Sequence, residues 1–299
     1  MTTDYLTHGV FPAMTTPFDE DEQIDHDLLA EDARRLEAAG VDGLVPVGST
    51  GESATLTHDE HIEVVETVVS AVDVPVIAGS GSNSTHEAVS LSRRSVEAGA
   101  DGLLLISPYY NKPEPAGMEA HYRRIADEVD VPQIIYNVPS RTGRNIAVET
   151  AVSLAGHENI VGYKAASGDL GRISEVATRT ADEDFWVMAG DDGLTLPILS
   201  VGGTGVISVA GNIEPRRMLA LVDAALDGDY ESALSVHREL RPLFDALFVE
   251  TNPIPVNAAM EIRGYGPGTV RSPLSDISQE HREELESILA DLEEAEATV

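Results

Sequence analysis

The chain contains two lysines, Lys112 and Lys164, and the second lies inside the otherwise apolar run 160–166. Burying an ammonium group is costly and lowers its pKa, and a neutral amine attacks a ketone to form a Schiff base. Arginine cannot take this role because it does not deprotonate. Lys164 is therefore a candidate Schiff-base nucleophile; the alternative is a strand-end lysine that reaches solvent or pairs with Asp191 or Asp192. Lys112, in a proline-rich loop, is expected to be solvated.

Polar residues also close other apolar runs. Tyr136 ends a neighbouring run, and its phenol could pass protons to and from a carbinolamine on Lys164, or it is a core tyrosine with a locally satisfied hydroxyl. Ser49 and Thr50 lie at a predicted strand-to-helix turn, where hydroxyls and free N–H groups either bind a carboxylate or cap a helix. Arg141 follows the fifth predicted strand and is either a bidentate carboxylate ligand or a surface arginine.

Metal and thiol chemistry find little support in the sequence. Cysteine is absent, which excludes disulfides, thiolate metal sites and cysteine nucleophiles. His58 and His61 are three residues apart on one helical face and could in principle hold a metal ion. Because no third ligand is suggested nearby, we expect a partly exposed histidine pair and no metal site.

Elements that alternate along the chain must position these residues. Eight apolar runs have the composition of strands buried on both faces: 10–16, 43–48, 75–79, 102–107, 132–137, 160–165, 185–189 and 205–209. Helical patterns follow them at 28–39, 59–72, 85–98, 118–129, 148–155, 170–180, 194–201 and 215–226. Eight such units match the α/β class and the size of a (β/α)8 TIM barrel, in which function gathers at the carboxyl ends of the strands. A doubly wound sheet competes, but no GxGxxG follows the first predicted strand.

The pattern changes near residue 225. Residues 1–225 are predicted to form the catalytic barrel, and residues 226–299 a C-terminal helical domain with helices at 230–248, 255–263 and 279–294. No strand pattern is evident in this second part.

The charge is strongly unbalanced. Nineteen basic and 52 acidic residues give a formal net charge of −33, a balance that disfavours nucleic acid and membrane surfaces as partners. Lysine is nearly absent, which favours adaptation to high salt over a merely acidic surface, because salt screens self-repulsion. The sequence also lacks a basic-plus-apolar leader, so we expect a cytoplasmic protein.

Together these residues resemble a known family. The motifs that carry the resemblance are GSTGE at 48–52, YNVPSRTG at 136–143, Lys164, GDD at 190–192, GVISV at 205–209 and ETNPIPV at 250–256. They resemble the dihydrodipicolinate synthase / N-acetylneuraminate lyase family of pyruvate-dependent class I aldolases, over nearly the whole chain. The resemblance implies a TIM barrel and a lyase that uses no cofactor beyond a covalent Schiff base between pyruvate and Lys164.

The resemblance also implies a reaction and roles for residues. The SRTG stretch is typical of members that condense pyruvate with L-aspartate 4-semialdehyde to 4-hydroxy-tetrahydrodipicolinate in lysine and diaminopimelate biosynthesis. Tyr136, Thr50 and Tyr110 would form the proton relay, with Tyr110 reaching across from a neighbouring subunit, commonly of a homotetramer. The N–H groups of Ser49 and Thr50 would hold the pyruvate carboxylate.

Further substrate contacts follow from the same motifs. Arg141 would bind the semialdehyde carboxylate, and Gly190 and Ile207 would line the site. By the same resemblance, a regulatory site for L-lysine would be formed by Ser53, Ala54, His58, His61, Asn83, Glu87 and Tyr109.

The sequence departs from the family pattern at a few positions. Ser49 replaces a usual threonine, Asn257 a common lysine, and Ala165 an acidic residue that often follows the Schiff-base lysine. Two alternatives stay open: an aldolase for 2-keto-3-deoxy sugar acids, and a non-catalytic paralogue that senses an amino acid. Retention of the reactive lysine argues against the second, because a buried amine is costly.

Overall fold

A parallel sheet forms the centre of the molecule. The computed structural model describes the backbone of residues 4–296 and the side chains of residues 5–294. Seven strands pair in the order β1-β7-β6-β5-β4-β3-β2. Their bounds are Gly9–Pro12 (β1), Ile77–Gly79 (β2), Gly102–Ile106 (β3), Gln133–Asn137 (β4), Ile160–Ala165 (β5), Trp186–Ala189 (β6) and Gly205–Ser208 (β7).

Residues 44 and 45 close this sheet into a barrel. Val45 bridges to Ala13 just after β1, and Leu44 bridges to Val76 just before β2, both in parallel. The predicted strand at 43–48 is therefore reduced to two bridged residues. Pro46 follows at once and has no N–H to extend a ladder. Val47 then takes a positive φ of 49°, which turns the chain away from the sheet.

Helices surround the barrel. The structure contains α1 His26–Ala39, α2 His58–Ala71, α3 Thr85–Glu97, α4 Pro115–Glu128, α5 Pro139–Thr142, α6 Val148–Ala155, α7 Leu170–Arg179, α8 Thr195–Ser200, α9 Pro215–Leu226, α10 Tyr230–Ala246, α11 Ile254–Ile262 and α12 Gln279–Glu296. Short 3₁₀ turns lie at Asp4–Leu6, Asp192–Leu194 and Ala210–Asn212. Asp25 caps the N-terminus of α1, and Thr57 and Glu60 form a capping box at the start of α2. The four-residue helix α5 was not predicted.

The core has two layers. Alternate strand residues such as Phe11, Leu104 and Met188 fill the barrel interior, and residues of opposite parity pack outward against the helices. This arrangement makes the strands rigid supports for whatever their carboxyl ends carry. No helix among residues 4–296 is both long and apolar enough to cross a membrane.

The C-terminal helices pack on the barrel and on one another. Helix α10 lies along α9, and α12 packs on α10 and α11. The boundary between domains at residue 225 stays a prediction. Residues of α10 and of the segment 250–252 reach the cleft described below.

Candidate active site

Lys164 and Tyr136 lie side by side at the carboxyl ends of two neighbouring strands. They are register partners on β5 and β4, and the Lys164 Nζ lies 4.3 Å from the centre of the Tyr136 ring. Both side chains are buried, Lys164 with 5% of its surface exposed. The lysine therefore does not reach bulk solvent, and within residues 4–296 it forms no ion pair.

Burial controls the charge of the lysine. The pKa of Lys164 falls to about 7, mainly because of burial; the negative charge of Asp192 opposes the shift, and the positive charge of Arg141 contributes to it. A large fraction of the amine is thus neutral near pH 7. Burial also raises the pKa of the Tyr136 phenol, which the charge of Arg141 and a hydrogen bond with Ser49 partly offset. Tyr136 is therefore protonated at neutral pH and able to donate.

Gly190 leaves room for the lysine stem. A Cβ at this position would lie 2.8 Å from Cγ and 2.9 Å from Cε of Lys164, closer than packed atoms allow. Glycine is thus required here by close approach, because β6 and β5 are adjacent and the lysine crosses over the end of β6.

Asp192 holds the turn that follows β7. Its carboxylate accepts hydrogen bonds from the Ser208 hydroxyl at 2.5 Å and from the N–H groups of Val209 at 3.0 Å and Ala210 at 2.9 Å. Burial raises the pKa of Asp192, and these hydrogen bonds oppose the rise. The sequence placed this residue as a possible partner of Lys164; in the structure it fixes the neighbouring loop and acts on the lysine through its charge.

The turn at 47–52 presents Ser49 and Thr50. Val47 and Glu52 both have positive φ, 49° and 53°, which is costly for residues other than glycine and frequent at functional sites. Within the described part of the chain, the N–H groups of Ser49 and Thr50 donate to no carbonyl. Two backbone donors without a carbonyl partner in the described residues thus lie next to each other in this turn, as in anion-binding loops.

The buried carboxylate of Glu52 connects this turn to other parts of the chain. It is 3% exposed, and its Oε2 accepts from the N–H of Arg271 at 3.1 Å and from the Thr55 hydroxyl at 3.3 Å. Burial raises the pKa of Glu52 to about 7. Arg271 in turn forms an ion pair of 2.6 Å with Glu60 in the capping box of α2. The motif GSTGE gave no indication that residue 271, far along the chain, would be the partner.

Helix α5 positions Arg141. Pro139 occupies its first turn, and Gly143 ends it with a φ of 73° and a 2.8 Å hydrogen bond back to Pro139. The exposed Lys112 lays its stem against Gly143, where an added Cβ would lie 2.5 Å from Cε of the lysine. One guanidinium nitrogen of Arg141 donates to the carbonyl of Asn252 at 2.6 Å.

A cleft of about 940 Å³ joins these groups. The predicted site residues that line it are Ser49, Thr50, Tyr136, Arg141, Lys164 and Gly190. Two predicted residues lie elsewhere. Ile207 is buried in the barrel interior, and Tyr110 has 89% of its surface exposed and a φ of 63°. In a single chain Tyr110 therefore does not contribute to the cleft.

A second cavity of about 420 Å³ adjoins the first. Of the residues predicted to form a lysine site, those that line it are Ser53, Ala54, His58, His61, Glu87 and Tyr109. Asn83 is not among its lining residues; its carbonyl accepts a hydrogen bond from Asn111 instead. Ser49, Tyr136 and Arg141 line both cavities and thus form a shared wall.

The two histidines differ in their environment. His58 lies 3.1 Å from Glu87, whereas His61 is 4% exposed and burial lowers its pKa to about 4. His61 is therefore neutral, and the expectation of a partly exposed pair is wrong for it because α2 turns this residue inward. No group of three or more potential metal ligands occurs among residues 4–296.

The chain is similar to known proteins over nearly its whole length. Residues 6–292 match the model of the dihydrodipicolinate synthetase family. The chain belongs to this family. A 4-hydroxy-tetrahydrodipicolinate synthase from Natronomonas pharaonis is 69% identical over 98% of this chain and all of its own length.

Solved structures of dihydrodipicolinate synthases have the same fold as this chain. The dihydrodipicolinate synthase of Aquifex aeolicus is 44% identical, with a TM-score of 0.93 over 96% of this chain and 98% of its own. The enzyme from Cyanidioschyzon merolae, solved with lysine bound, is 41% identical, with a TM-score of 0.92 over 95% of this chain and 97% of its own. The predictions of a barrel and of an enzyme of the lyase class are confirmed.

Proposed function

We propose that the chain condenses pyruvate with L-aspartate 4-semialdehyde to give 4-hydroxy-tetrahydrodipicolinate and water. One observation carries the proposal: a buried lysine with a pKa near 7 lies against a protonated tyrosine in a cleft that also holds an arginine. Neutral amine, proton donor and carboxylate ligand are the groups that a Schiff-base condensation of two keto or aldehyde acids needs.

The first half of the reaction activates pyruvate. The neutral amine of Lys164 attacks the keto carbon, and the resulting carbinolamine loses its oxygen as water when Tyr136 supplies a proton. The open N–H groups of Ser49 and Thr50 hold the pyruvate carboxylate. Loss of a methyl proton from the imine gives an enamine, with Tyr136 and Thr50 carrying the proton.

The second half joins the substrates. The enamine carbon attacks the aldehyde carbon of the semialdehyde, and the aldehyde oxygen takes a proton to become the hydroxyl group. The amine of the semialdehyde then attacks the imine carbon, closes the ring and expels the amine of Lys164. Arg141 holds the semialdehyde carboxylate, with the guanidinium fixed by the Asn252 carbonyl. No oxidant or metal enters this balance.

The assembly and its setting are part of the proposal. Tyr110 is 89% exposed and directly follows Tyr109, which lines the second cavity; this exposure supports a homotetramer in which Tyr110 completes the proton relay of a neighbouring subunit. The shared wall and the relative solved with lysine bound support inhibition by L-lysine in the second cavity. The net charge of −33 supports a location in a cytoplasm with a high salt concentration.

Borohydride trapping tests the proposal. With pyruvate, the chain should gain one reduced adduct on Lys164 by mass spectrometry, and Lys164→Arg should gain none. A coupled assay with aspartate semialdehyde and, separately, cleavage of 2-keto-3-deoxygluconate then identifies the second substrate. An amino-acid sensor would form no adduct, and a sugar-acid aldolase would form the adduct but leave the semialdehyde unconsumed.

A further inference from the structure

The motif at 250–256 has no role in the reaction as described so far, yet one of its residues touches two groups of the site. The side-chain Nδ2 of Asn252 donates to the Thr50 hydroxyl at 3.0 Å, and the carbonyl of Asn252 accepts from Arg141 at 2.6 Å. Asn252 is 5% exposed. We infer that Asn252 is a positioning residue that orients the Thr50 hydroxyl for proton transfer; this inference rests on the proposed function.

The chemistry of a hydroxyl group explains how the amide acts. A threonine hydroxyl has one hydrogen and two lone pairs, and it rotates to suit its partners. The N–H of Asn252 occupies one lone pair, so the Thr50 O–H must point elsewhere. Thr50 lines the cleft with Tyr136 and Lys164, and its hydrogen is thus left for a partner within the cleft. The amide sets the direction in which Thr50 can pass a proton.

A rigid support holds the amide in place. Asn252 lies at the entrance to α11, and the residues of α11 from Ile254 to Met260 are all buried. Thr50, in contrast, lies on an irregular turn between two residues of positive φ. A hydrogen bond between residues 202 positions apart in the sequence therefore connects this irregular turn to the packed start of α11. The side-chain Oδ1 of Asn252 is buried and finds no partner among the described residues. Within these residues, the side chain of Asn252 is therefore held by its hydrogen bond to Thr50.

The hydrogen bond between Asn252 and Arg141 can be tested separately from the one between Asn252 and Thr50. The first uses the backbone carbonyl and survives any side-chain substitution, whereas the second uses the amide. Replacing the side chain should therefore lower kcat, through Thr50, and leave KM for the semialdehyde, through Arg141, nearly unchanged. A loss of structure would change both.

A double-mutant cycle tests the inference. We expect Asn252→Ala to lower kcat about tenfold, equivalent to ~1.4 kcal/mol, with KM for the semialdehyde within about twofold. In a Thr50→Val background the same substitution should have no further effect, because the group it orients is gone. Asn252→Asp keeps the shape but its carboxylate cannot donate, so it should show the same tenfold loss of kcat, and it replaces Asn252→Ala in the cycle if the alanine variant fails to fold.

A neighbouring asparagine supplies the control. Asn257 is 4% exposed in α11, and its amide donates to the carbonyl of Pro253 at 3.1 Å, away from Thr50. Asn257→Ala should leave kcat within about twofold. The inference is overturned if the effects of Asn252→Ala and Thr50→Val multiply, if Asn252→Asp retains full kcat, or if Asn257→Ala is equally impaired. Failure of the wild-type chain to form the pyruvate adduct would instead refute the proposed function.

Discussion

Tyr136 and Lys164 are paired in register, and the amine lies 4.3 Å from the centre of the phenol ring. The face of an aromatic ring attracts an ammonium group and so favours the charged lysine. Burial has the opposite effect and prevails, since the pKa of Lys164 falls to about 7. The tyrosine thus lies beside an amine that changes its charge near pH 7, which suits a group that must give and take protons.

The rate of adduct formation should depend on pH through this lysine. Because only the neutral amine attacks pyruvate, the rate of borohydride-trapped adduct formation should rise as pH increases through about 7 and then level off. Asp192→Asn removes a charge that raises the pKa of Lys164, so its inflection should lie at lower pH. A profile that keeps rising to pH 10 would mean that the lysine is not desolvated.

Replacing the buried amine should stabilise the protein. The pKa of Lys164 is lower in the folded state than its ordinary value of 10.5, so the unfolded chain binds more protons between about pH 7 and 10.5. Wild-type stability therefore rises with pH over this window. Lys164→Met should raise Tm by several degrees at pH 7 and by much less at pH 10, measured by calorimetry. Equal shifts at both pH values would contradict the assignment.

Gly190→Ala should disable the site without unfolding the barrel. The added methyl group would lie 2.8 Å from Cγ of Lys164, so the lysine stem must move. We expect kcat to fall by about 100-fold, since a displacement of 1 Å at a reacting group has an effect of this order. Circular dichroism should be unchanged. Gly156→Ala controls for the general effect of a glycine-to-alanine change, because this glycine is exposed, has a negative φ like most residues, and its added Cβ would lie 3.9 Å from the Ser153 carbonyl oxygen.

Glu52→Gln should make stability less dependent on pH. Burial raises the pKa of Glu52 to about 7, so the folded state binds more protons than the unfolded state between about pH 4.5 and 7. The stability due to this group is present below pH 4.5 and is lost as pH rises through 7. Relative to wild type, Glu52→Gln should therefore raise the free energy of unfolding at pH 8 and change it little at pH 4.5. Urea titrations at the two pH values measure this.

Removing salt should destabilise the protein at neutral pH. A net charge of −33 repels itself most strongly when the Debye length grows from ~3 Å at 1 M to ~10 Å at 0.1 M salt. We expect a lower Tm at 0.1 M than at 2 M KCl, pH 7. Near the isoelectric point of about 4.3, the same change in salt should have a much smaller effect. A Tm that is independent of salt concentration at pH 7 would argue against adaptation to high salt.

Most strands and helices could be predicted from local sequence patterns. The alternation of apolar runs and amphipathic helices gave seven strands and the long helices, with ends that shift by a few residues. The run at 43–48 is the exception, because Pro46 interrupts the ladder after two bridged residues. Helix α5 escaped prediction because four residues are too few to show a period.

The candidate catalytic residues could be predicted from the sequence, but the residues that hold them in place could not. Lys164, Tyr136 and Arg141 stand out by residue type at strand ends, and the structure brings them to one cleft. The contacts of Asn252 with Thr50 and of Arg271 with Glu52 each span more than 200 residues. Such pairs leave no periodic signal in a single sequence, because they depend on how the chain closes on itself.

The wall of Ser49, Tyr136 and Arg141 between the two cavities has a thermodynamic consequence. A molecule in either cavity touches side chains that a molecule in the other also touches, so the two binding equilibria are linked. Linkage is reciprocal: whatever factor a regulator imposes on the affinity for pyruvate, pyruvate must impose on the affinity for the regulator. If pyruvate and the proposed regulator occupy these two cavities, a chain that already carries pyruvate binds the regulator with a different affinity from an empty chain.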